Sequence, residues 1–164
     1  MSAFEFAIEL TVPDNTAFTV LTALRGLGYP ELERVERGDL LRLRVDDGAM
    51  SIDECGAALT RAEVVFNPNK HRLMRAGSGE TDLLEAVVAD KDDDAESLRA
   101  LLTDHFDMRG LKGVERATVW RLYEGDRAAP RDRMEWACRS LLANAYSQTY
   151  VVRNRPPFST VSTK

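Results

Sequence analysis

The chain has 164 residues, of which 44% are hydrophobic and 30% are charged, so it can bury a core and we do not expect it to be largely disordered. Its formal net charge is −5 and it contains no block of lysine and arginine, which disfavours non-specific binding to nucleic acid. Residues 1–5 lack the features of a signal peptide, and no apolar run is long enough for a membrane span. We therefore expect a cytoplasmic protein that does not bind membranes, with its two cysteines as buried thiols.

The chain begins with a pattern that predicts a strand followed by a helix. Apolar and polar residues alternate from Phe4 to Val12, which is typical of a half-buried strand. Asp14 and the two residues after it offer side-chain oxygens that can cap a helix. Apolar residues then recur at helical spacing up to Leu27, and Gly28 is a suitable residue to end the helix.

A hairpin, a second helix and a final strand are predicted next. Arg37-Gly38-Asp39 is interpreted as the turn of a β-hairpin with one basic, solvated face. Ser51 and Glu54 have the spacing of a capping box and open the second helix. The last strand is predicted to begin at Val64. The resulting order, βαββαβ, is that of a ferredoxin-like plait.

The second half of the chain repeats this pattern. An offset of 77 relates eight pairs of residues, namely Leu10 and Val87, Leu21 and Leu98, Leu24 and Leu101, Tyr29 and Phe106, Leu41 and Thr118, Leu43 and Trp120, Val45 and Leu122, and Gly48 and Gly125. After Gly125 an offset of 83 relates Cys55 to Cys138. Two unrelated plaits would share their periodicity, but the matched glycines and cysteines favour duplication.

These patterns predict an α+β fold of two tandem ferredoxin-like plaits with antiparallel sheets, packed as a pseudo-dimer. The expected modules are residues 1–75 and 83–153. Residues 76–82, rich in glycine and serine, are the expected linker, and residues 154–164 are expected to be a flexible tail.

No catalytic or metal-binding motif is present in the sequence. His71 and His105 lie in different halves and lack the clustered cysteine and histidine ligands of a zinc site. The aspartates of residues 90–94 fail the calcium-loop pattern, which requires glycine where Ala95 stands and glutamate where Leu101 stands. A pair formed by a cysteine and a histidine is formally possible, but both cysteines lie on apolar helix faces. We therefore expect no catalytic residues, no cofactor and no metal.

Four arginines lie in the two predicted hairpins: Arg42, Arg44, Arg116 and Arg121. Such residues could bind a phosphate or a carboxylate. Because charged side chains are mostly exposed, a solvated strand face is the favoured interpretation.

Three segments form a recognisable set of motifs. The first is Cys138-Arg139-Ser140-Leu141-Leu142-Ala143-Asn144, followed by Tyr150; the second is Leu27-Gly28-Tyr29, followed by Val35 and Gly38; the third is Cys55 with Leu59. Together they resemble PurS, the small subunit of phosphoribosylformylglycinamidine synthase. The positions that match the family motif, and that we expect to be structural, are Gly28, Tyr29, Gly38, Cys55, Cys138, Leu142, Asn144 and Tyr150.

The resemblance implies a subunit without catalytic residues of its own. PurS-like proteins bridge a glutaminase and an ATP-dependent synthetase in purine biosynthesis, and they help ammonia pass between the two. The resemblance therefore implies that the partners are these two subunits, and that the chain could also form a homo-oligomer. The alternative function is a regulatory plait protein that senses a small molecule at the interface between the repeats.

Overall fold

The computed structural model describes residues 1–93 and 95–162. Within them, eight strands form one antiparallel sheet that carries four helices, so the predicted α+β class and the antiparallel sheet are confirmed. The first half contains β1 Ser2–Leu10, α1 Asn15–Leu27, β2 Arg34–Val45, α2 Ile52–Arg61 and β3 His71–Ala76. The second half contains β4 Leu84–Asp90, α3 Glu96–Phe106, β5 Leu111–Glu124, β6 Arg127–Ala128, α4 Arg131–Ala137, the π-helical segment Cys138–Leu142, β7 Gln148–Asn154 and β8 Phe158–Thr160.

The helix ends of the first half follow the sequence signals. The Asp14 carboxylate accepts hydrogen bonds from the backbone N–H groups of Thr16 and Ala17 at 3.0 and 3.1 Å, which caps α1. Gly28 ends this helix with φ of 131°, a value that side-chain-bearing residues rarely adopt. At the start of α2, Ser51 and Glu54 form the predicted capping box.

The two halves join through their longest strands. The sheet order is β7-β4-β5-β2-β1-β3-β8, with β6 paired to β5, so each half forms a block except for β8, which pairs with β3, and β2 pairs with β5. In this pairing Leu40 lies opposite Ala117, and these two residues are related by the offset of 77. Under this offset the register of the β2–β5 pairing is symmetric about Leu40 and Ala117, because Asp39 pairs with Thr118 and Leu41 pairs with Arg116.

The predicted hairpin turn is wrong. β2 runs unbroken from Arg34 to Val45, and Gly38 lies in its middle, opposite Glu9 of β1 and Val119 of β5. A strand paired on both sides satisfies its backbone groups in the sheet, and this outweighs the local turn preference of the Arg-Gly-Asp sequence. The equivalent strand β5 is also continuous, and the short strand β6 pairs with its end, so the first half has the order βαβαβ and the second begins βαββα.

Two further predictions about the elements need correction. Val64 and Val65 lie in a turn, and the strand predicted to begin there starts at His71, because Phe66 packs into the core as the chain turns. The offset of 77 fails outside the central strands. Leu24 is fully buried, and its buried counterpart in α3 is Leu102, one residue later than predicted.

Two large apolar clusters lie on the face of the sheet that carries the helices, here called the outer face. Cluster 1 lies under α2 and α3 and includes Phe6, Leu43, Cys55, Leu59 and Leu102. Cluster 2 lies under α1 and α4 and includes Leu24, Tyr29, Trp120, Met134 and Cys138. Each cluster contains residues from both halves, so neither half has a core of its own.

The sheet is strongly curled. Arg153 of β7 forms an ion pair with Glu5 of β1, although these strands are four positions apart and would be about 19 Å apart in a flat sheet. Only residues 155–157 separate β7 from β8, which lies at the other end of the strand order. The Gly77 N–H donates to the Pro157 carbonyl at 2.7 Å, which ties the linker to this connection. The face opposite the helices, here called the inner face, is therefore concave.

The segment predicted to be a tail lies on the sheet in part. Residues 158–160 form β8 and pair with β3, and the Val161 N–H donates to the Leu73 carbonyl at 2.8 Å. The last two residues of the predicted tail lie outside the described residues. In the described part of the chain, no helix is both long enough and apolar enough to cross a membrane.

Candidate functional site

Charged side chains from six strands and the chain after β7 meet on the inner face in what we call the inner ion-pair network. Its members are Glu5, Glu9, Glu85, Arg42, Arg72, Arg121, Arg153 and Arg155. Alternation along the strands places these residues on the face opposite the apolar clusters. The network surrounds a small cluster of four buried apolar residues, Ala7, Leu40, Val87 and Val119.

The centre of the network is buried. Arg121 is 3% exposed, and Glu85 is fully buried. The guanidinium of Arg121 donates from Nη2 to Glu9 Oε1 at 2.7 Å and from Nε to Glu85 Oε1 at 3.4 Å. One arginine of the second half thereby joins carboxylates from both halves.

Arg153 makes a second connection between the halves. Its Nε donates to Glu85 Oε2 at 2.9 Å, and its Nη1 donates to Glu5 Oε2 at 3.1 Å. At the edge of the network, two half-exposed arginines donate further hydrogen bonds to the same carboxylates. Arg42 donates to Glu5 at 3.0 Å, and Arg72 donates to Glu9 at 3.1 Å. The network therefore spans the concave face from β7 to β3.

The electrostatics favour the charged state of most of these groups. Burial opposes the ionisation of Glu9, but Arg121 and Arg72 outweigh it and hold the pKa of Glu9 below its usual value. Likewise, burial opposes the ionisation of Glu5, and Arg153 and Arg42 lower its pKa. Arg155 differs from the other arginines because burial and the nearby Arg121 lower its pKa.

The network is suited to structure more than to catalysis. Its carboxylates accept hydrogen bonds from arginines, and guanidinium groups do not release protons in the neutral pH range. The carboxylate oxygens are engaged by cations of the protein itself, which disfavours their use as metal ligands. Removing one member would leave an uncompensated buried charge, so we interpret the network as a device that fixes one arrangement of the two halves.

A second feature is a cavity of about 380 Å³ on the outer face, which we call the central groove. It lies at the β2–β5 junction, between cluster 1 and cluster 2. Its lining includes Ile8, Leu41, Val64, Val65, Val88, Leu98, Asp39, Asp90, Asp93, Arg116, Thr118 and Gln148. The groove therefore combines an apolar base with charged groups from both halves.

Several polar groups of the central groove have defined partners. Arg116 donates to Asp93 from Nη2 at 2.6 Å and from Nε at 3.2 Å, and Gln148 donates to Asp90 at 2.9 Å. Asp39 lies opposite Thr118 in the β2–β5 pairing, and its side chain is exposed. Within the described residues, Asp39 forms no ion pair.

Four of the residues that match the family motif pack together. Tyr29, Cys138 and Leu142 are buried in cluster 2, and Tyr150 packs against it. The Tyr29 hydroxyl donates to Glu124, and its ring meets Trp136 edge-on at 6.0 Å between centroids. These contacts account for the four residues as packing groups.

The other four motif residues lie elsewhere. Gly28 ends α1, Gly38 is buried in the middle of β2, and Cys55 belongs to cluster 1. Asn144 is exposed and accepts a hydrogen bond from the Tyr146 N–H at 2.9 Å, which shapes the turn into β7. The eight residues therefore do not converge on one site.

The cysteines and histidines do not supply an activated nucleophile. Burial raises the pKa of Cys55 to about 11 and that of Cys138 to about 12, so both are neutral thiols near pH 7. His71 Nδ1 accepts a hydrogen bond from the Asn67 N–H at 2.9 Å, which occupies that nitrogen in a turn. His105 lies in the last turn of α3.

The interpretation of the arginines as a solvated face is wrong for Arg121. Arg121 is almost completely buried, and Arg42 is paired with Glu5 on the same inner face. Arg116 lies on the outer face, in the central groove. The sequence carried one usable signal, because Glu5 and Glu9 lie four residues apart on one face of β1, and Glu85 lies near the start of β4. It lacked the information that these strands face one another across a curled sheet.

No family model matches this chain, and a comparison with curated proteins finds no match.

Proposed function

We propose that this protein is a cytoplasmic, non-catalytic PurS-like subunit of a phosphoribosylformylglycinamidine synthase complex. It would bridge the glutaminase and synthetase subunits and assist ammonia transfer between them. In this proposal the two halves descend from one ferredoxin-like plait by tandem duplication, and each contributes half of a built-in dimer.

The surface around the family-like segment carries the proposal. Cys138 and Leu142 are buried, while Leu141 between them is 41% exposed and the nearby Tyr146 is 93% exposed. A tyrosine that makes so little contact with its own chain offers a large amphipathic group to a partner. We call Leu141 and Tyr146 the apolar patch, and we assign the docking of a partner subunit to it.

The symmetry of the β2–β5 junction supports the duplication. Two copies of one module on one chain are held at a high effective concentration, which favours their pairing without new contacts. The pairing of Leu40 with Ala117 has the register that two copies of one strand would adopt.

Co-purification with the synthetase and glutaminase subunits, in the presence of glutamine and ADP, tests the proposal. We expect the wild-type chain to associate and to support glutamine-dependent activity. A double variant, Leu141→Ser with Tyr146→Ser, should fail to associate. A matched control, Phe18→Ser, removes a 68% exposed apolar residue of α1 and should associate normally. Failure of the wild-type chain to associate would overturn the proposal.

A second candidate function is the sensing of a small metabolite, and the central groove favours it. The groove has the size of a small-molecule site and lies where the two halves meet. Thermal unfolding in the presence of a panel of amino acids, amines and nucleotides tests this function, because a ligand that binds only the folded state raises the melting temperature. If no compound in the panel raises it, metabolite sensing is contradicted.

A further inference from the structure

We propose that the central groove binds a small organic cation, specifically a primary ammonium group on a short apolar chain. This inference rests on the second candidate function and names the chemical class of its ligand. It is independent of the proposed bridging role, which uses the apolar patch on another part of the chain.

The position of Asp39 is the first observation. β2 is a central strand, and the neighbours of Asp39 on its outer face are Arg37, which is paired with Asp14, and Leu41, which is buried in cluster 1. Aspartate is disfavoured in strands, so an aspartate in the middle of a central strand suggests a functional role for its carboxylate. Asp39 is exposed to the groove, and within the described residues it forms no ion pair, so a ligand can reach its carboxylate.

The approximate twofold symmetry sharpens this point. The offset of 77 relates Asp39 to Arg116, and both line the groove. A symmetric pair of identical strands would bring two equal charges to this place, whereas this chain presents an acid on one side and a base on the other. Arg116 donates two hydrogen bonds to Asp93. The carboxylate of Asp39 is therefore on offer to a ligand, while Arg116 is engaged by Asp93.

The charge balance of the groove selects the sign of the ligand. Among the described residues, the carboxylates of Asp39, Asp90 and Asp93 line it together with the guanidinium of Arg116. Because like charges repel at short range, a phosphate or carboxylate ligand is disfavoured, and an ammonium group is favoured. This separates the proposed ligand from nucleotides.

The apolar base of the groove selects the rest of the ligand. Ile8, Leu41 and Leu98 line it from three different elements of cluster 1. Val64 is 59% exposed at its edge, so apolar surface is available to a ligand. The volume of about 380 Å³ admits a chain of several carbon atoms beside the ammonium group.

Saturation-transfer NMR on the full-length chain with n-hexylammonium chloride and sodium hexanoate tests the inference. The two probes share their apolar chain and differ in the sign of their charge. We expect saturable binding of hexylammonium and at least tenfold weaker binding of hexanoate. Equal binding of the two probes would overturn the proposed ligand class.

A pair of variants locates the site. Asp39→Asn should weaken hexylammonium binding at least tenfold, because it removes the unpaired carboxylate and keeps the shape of the side chain. The control, Asp82→Asn, removes an exposed carboxylate from the linker and should leave binding unchanged. Circular dichroism checks that both variants are folded. Unchanged binding in the Asp39→Asn variant would overturn the assignment of the site.

The thermal-unfolding panel distinguishes failure of the proposed ligand class from failure of the second candidate function. If a compound without a positive charge raises the melting temperature and hexylammonium does not bind, the inference fails and the second candidate function stands. If neither hexylammonium nor any panel compound binds, both fail.

Discussion

The two faces of the sheet reach burial by different means. On the outer face, apolar residues of the strands pack under helices in clusters 1 and 2. On the inner face, glutamates and arginines of the inner ion-pair network surround four apolar residues, and Glu85 and Arg121 are as well buried as residues of the apolar clusters. A strand with alternating apolar and polar residues therefore has two buried faces here. Its polar residues do not mark a face that is exposed to solvent.

The difference also separates the forces that hold the halves together. The apolar clusters contain residues of both halves and contribute by removing apolar area from water. The network adds directional contacts that only one arrangement of the sheet satisfies, at the cost of removing charges from water. Packing and ion pairing should respond differently to mutation, acid and loss of single contacts.

The largest expected effect comes from the centre of the network. Arg121→Ala leaves Glu9 and Glu85 without their shared buried partner, and we expect it to lower the free energy of unfolding by about 3–5 kcal/mol. Urea unfolding followed by the fluorescence of Trp120 and Trp136 measures this change. The control, Arg72→Ala, removes a half-exposed arginine from Glu9 and should cost at most about 1 kcal/mol. Equal small losses in the two variants would show that the inner face is not buried as described.

A cavity in the outer face should cost slightly less on average. Leu59 is fully buried in cluster 1, and Leu59→Ala should lower the free energy of unfolding by about 2–5 kcal/mol. The control, Phe18→Ala, truncates an exposed residue and should change it by about 0.5 kcal/mol or less. The same urea titration compares the two, and a large loss in the control would place Phe18 in a core that the structure does not contain.

Acid should weaken the ion pairs of the inner face. The pKa values of Glu5 and Glu9 are lower in the folded chain than in the unfolded chain, so the folded state binds fewer protons than the unfolded state at acidic pH. Their contribution to stability is fully present above the unfolded pKa of about 4.5 and is lost as the pH falls through the lower, folded pKa. We expect the melting temperature to fall as the pH is lowered from 5 towards 3. This fall should be shallower in the Glu9→Gln variant, and identical slopes would exclude Glu9 from the linkage.

The smallest of these effects concerns a local contact of the outer face. Ser51 caps α2, and Ser51→Ala should lower the free energy of unfolding by about 1 kcal/mol. The control, Thr60→Ala near the other end of α2, should change it by about 0.5 kcal/mol or less. Equal losses would indicate that the capping box adds nothing beyond hydroxyl removal.

The local signals of the sequence predicted part of this fold. The caps at Asp14 and Ser51 and the helix end at Gly28 follow from side-chain hydrogen bonds and from backbone freedom, which act over a few residues. The turn predicted at Arg37-Gly38-Asp39 failed because its outcome depends on β1 and β5, which are distant in sequence and pair with both sides of β2. Tertiary pairing decided what local preference left open.

The candidate site was less predictable. Arg121 was recognised only as one of several strand arginines, because a sequence does not show which polar face a curled sheet encloses. Asp39 was placed in a turn and therefore had no reason to be considered a ligand-binding residue. Its significance comes from the register that sets it beside Thr118 and Arg116 in the central groove.

A double-mutant cycle between Glu5 and Arg153 tests most directly whether the sheet curls and joins the two halves through the inner face. These residues lie on strands that are four positions apart in the sheet, and only the curl brings them into contact. Using Glu5→Gln, Arg153→Gln and the double variant in urea titrations, we expect a coupling free energy of about 1 kcal/mol or more. Additivity of the two single changes within about 0.3 kcal/mol would contradict this account.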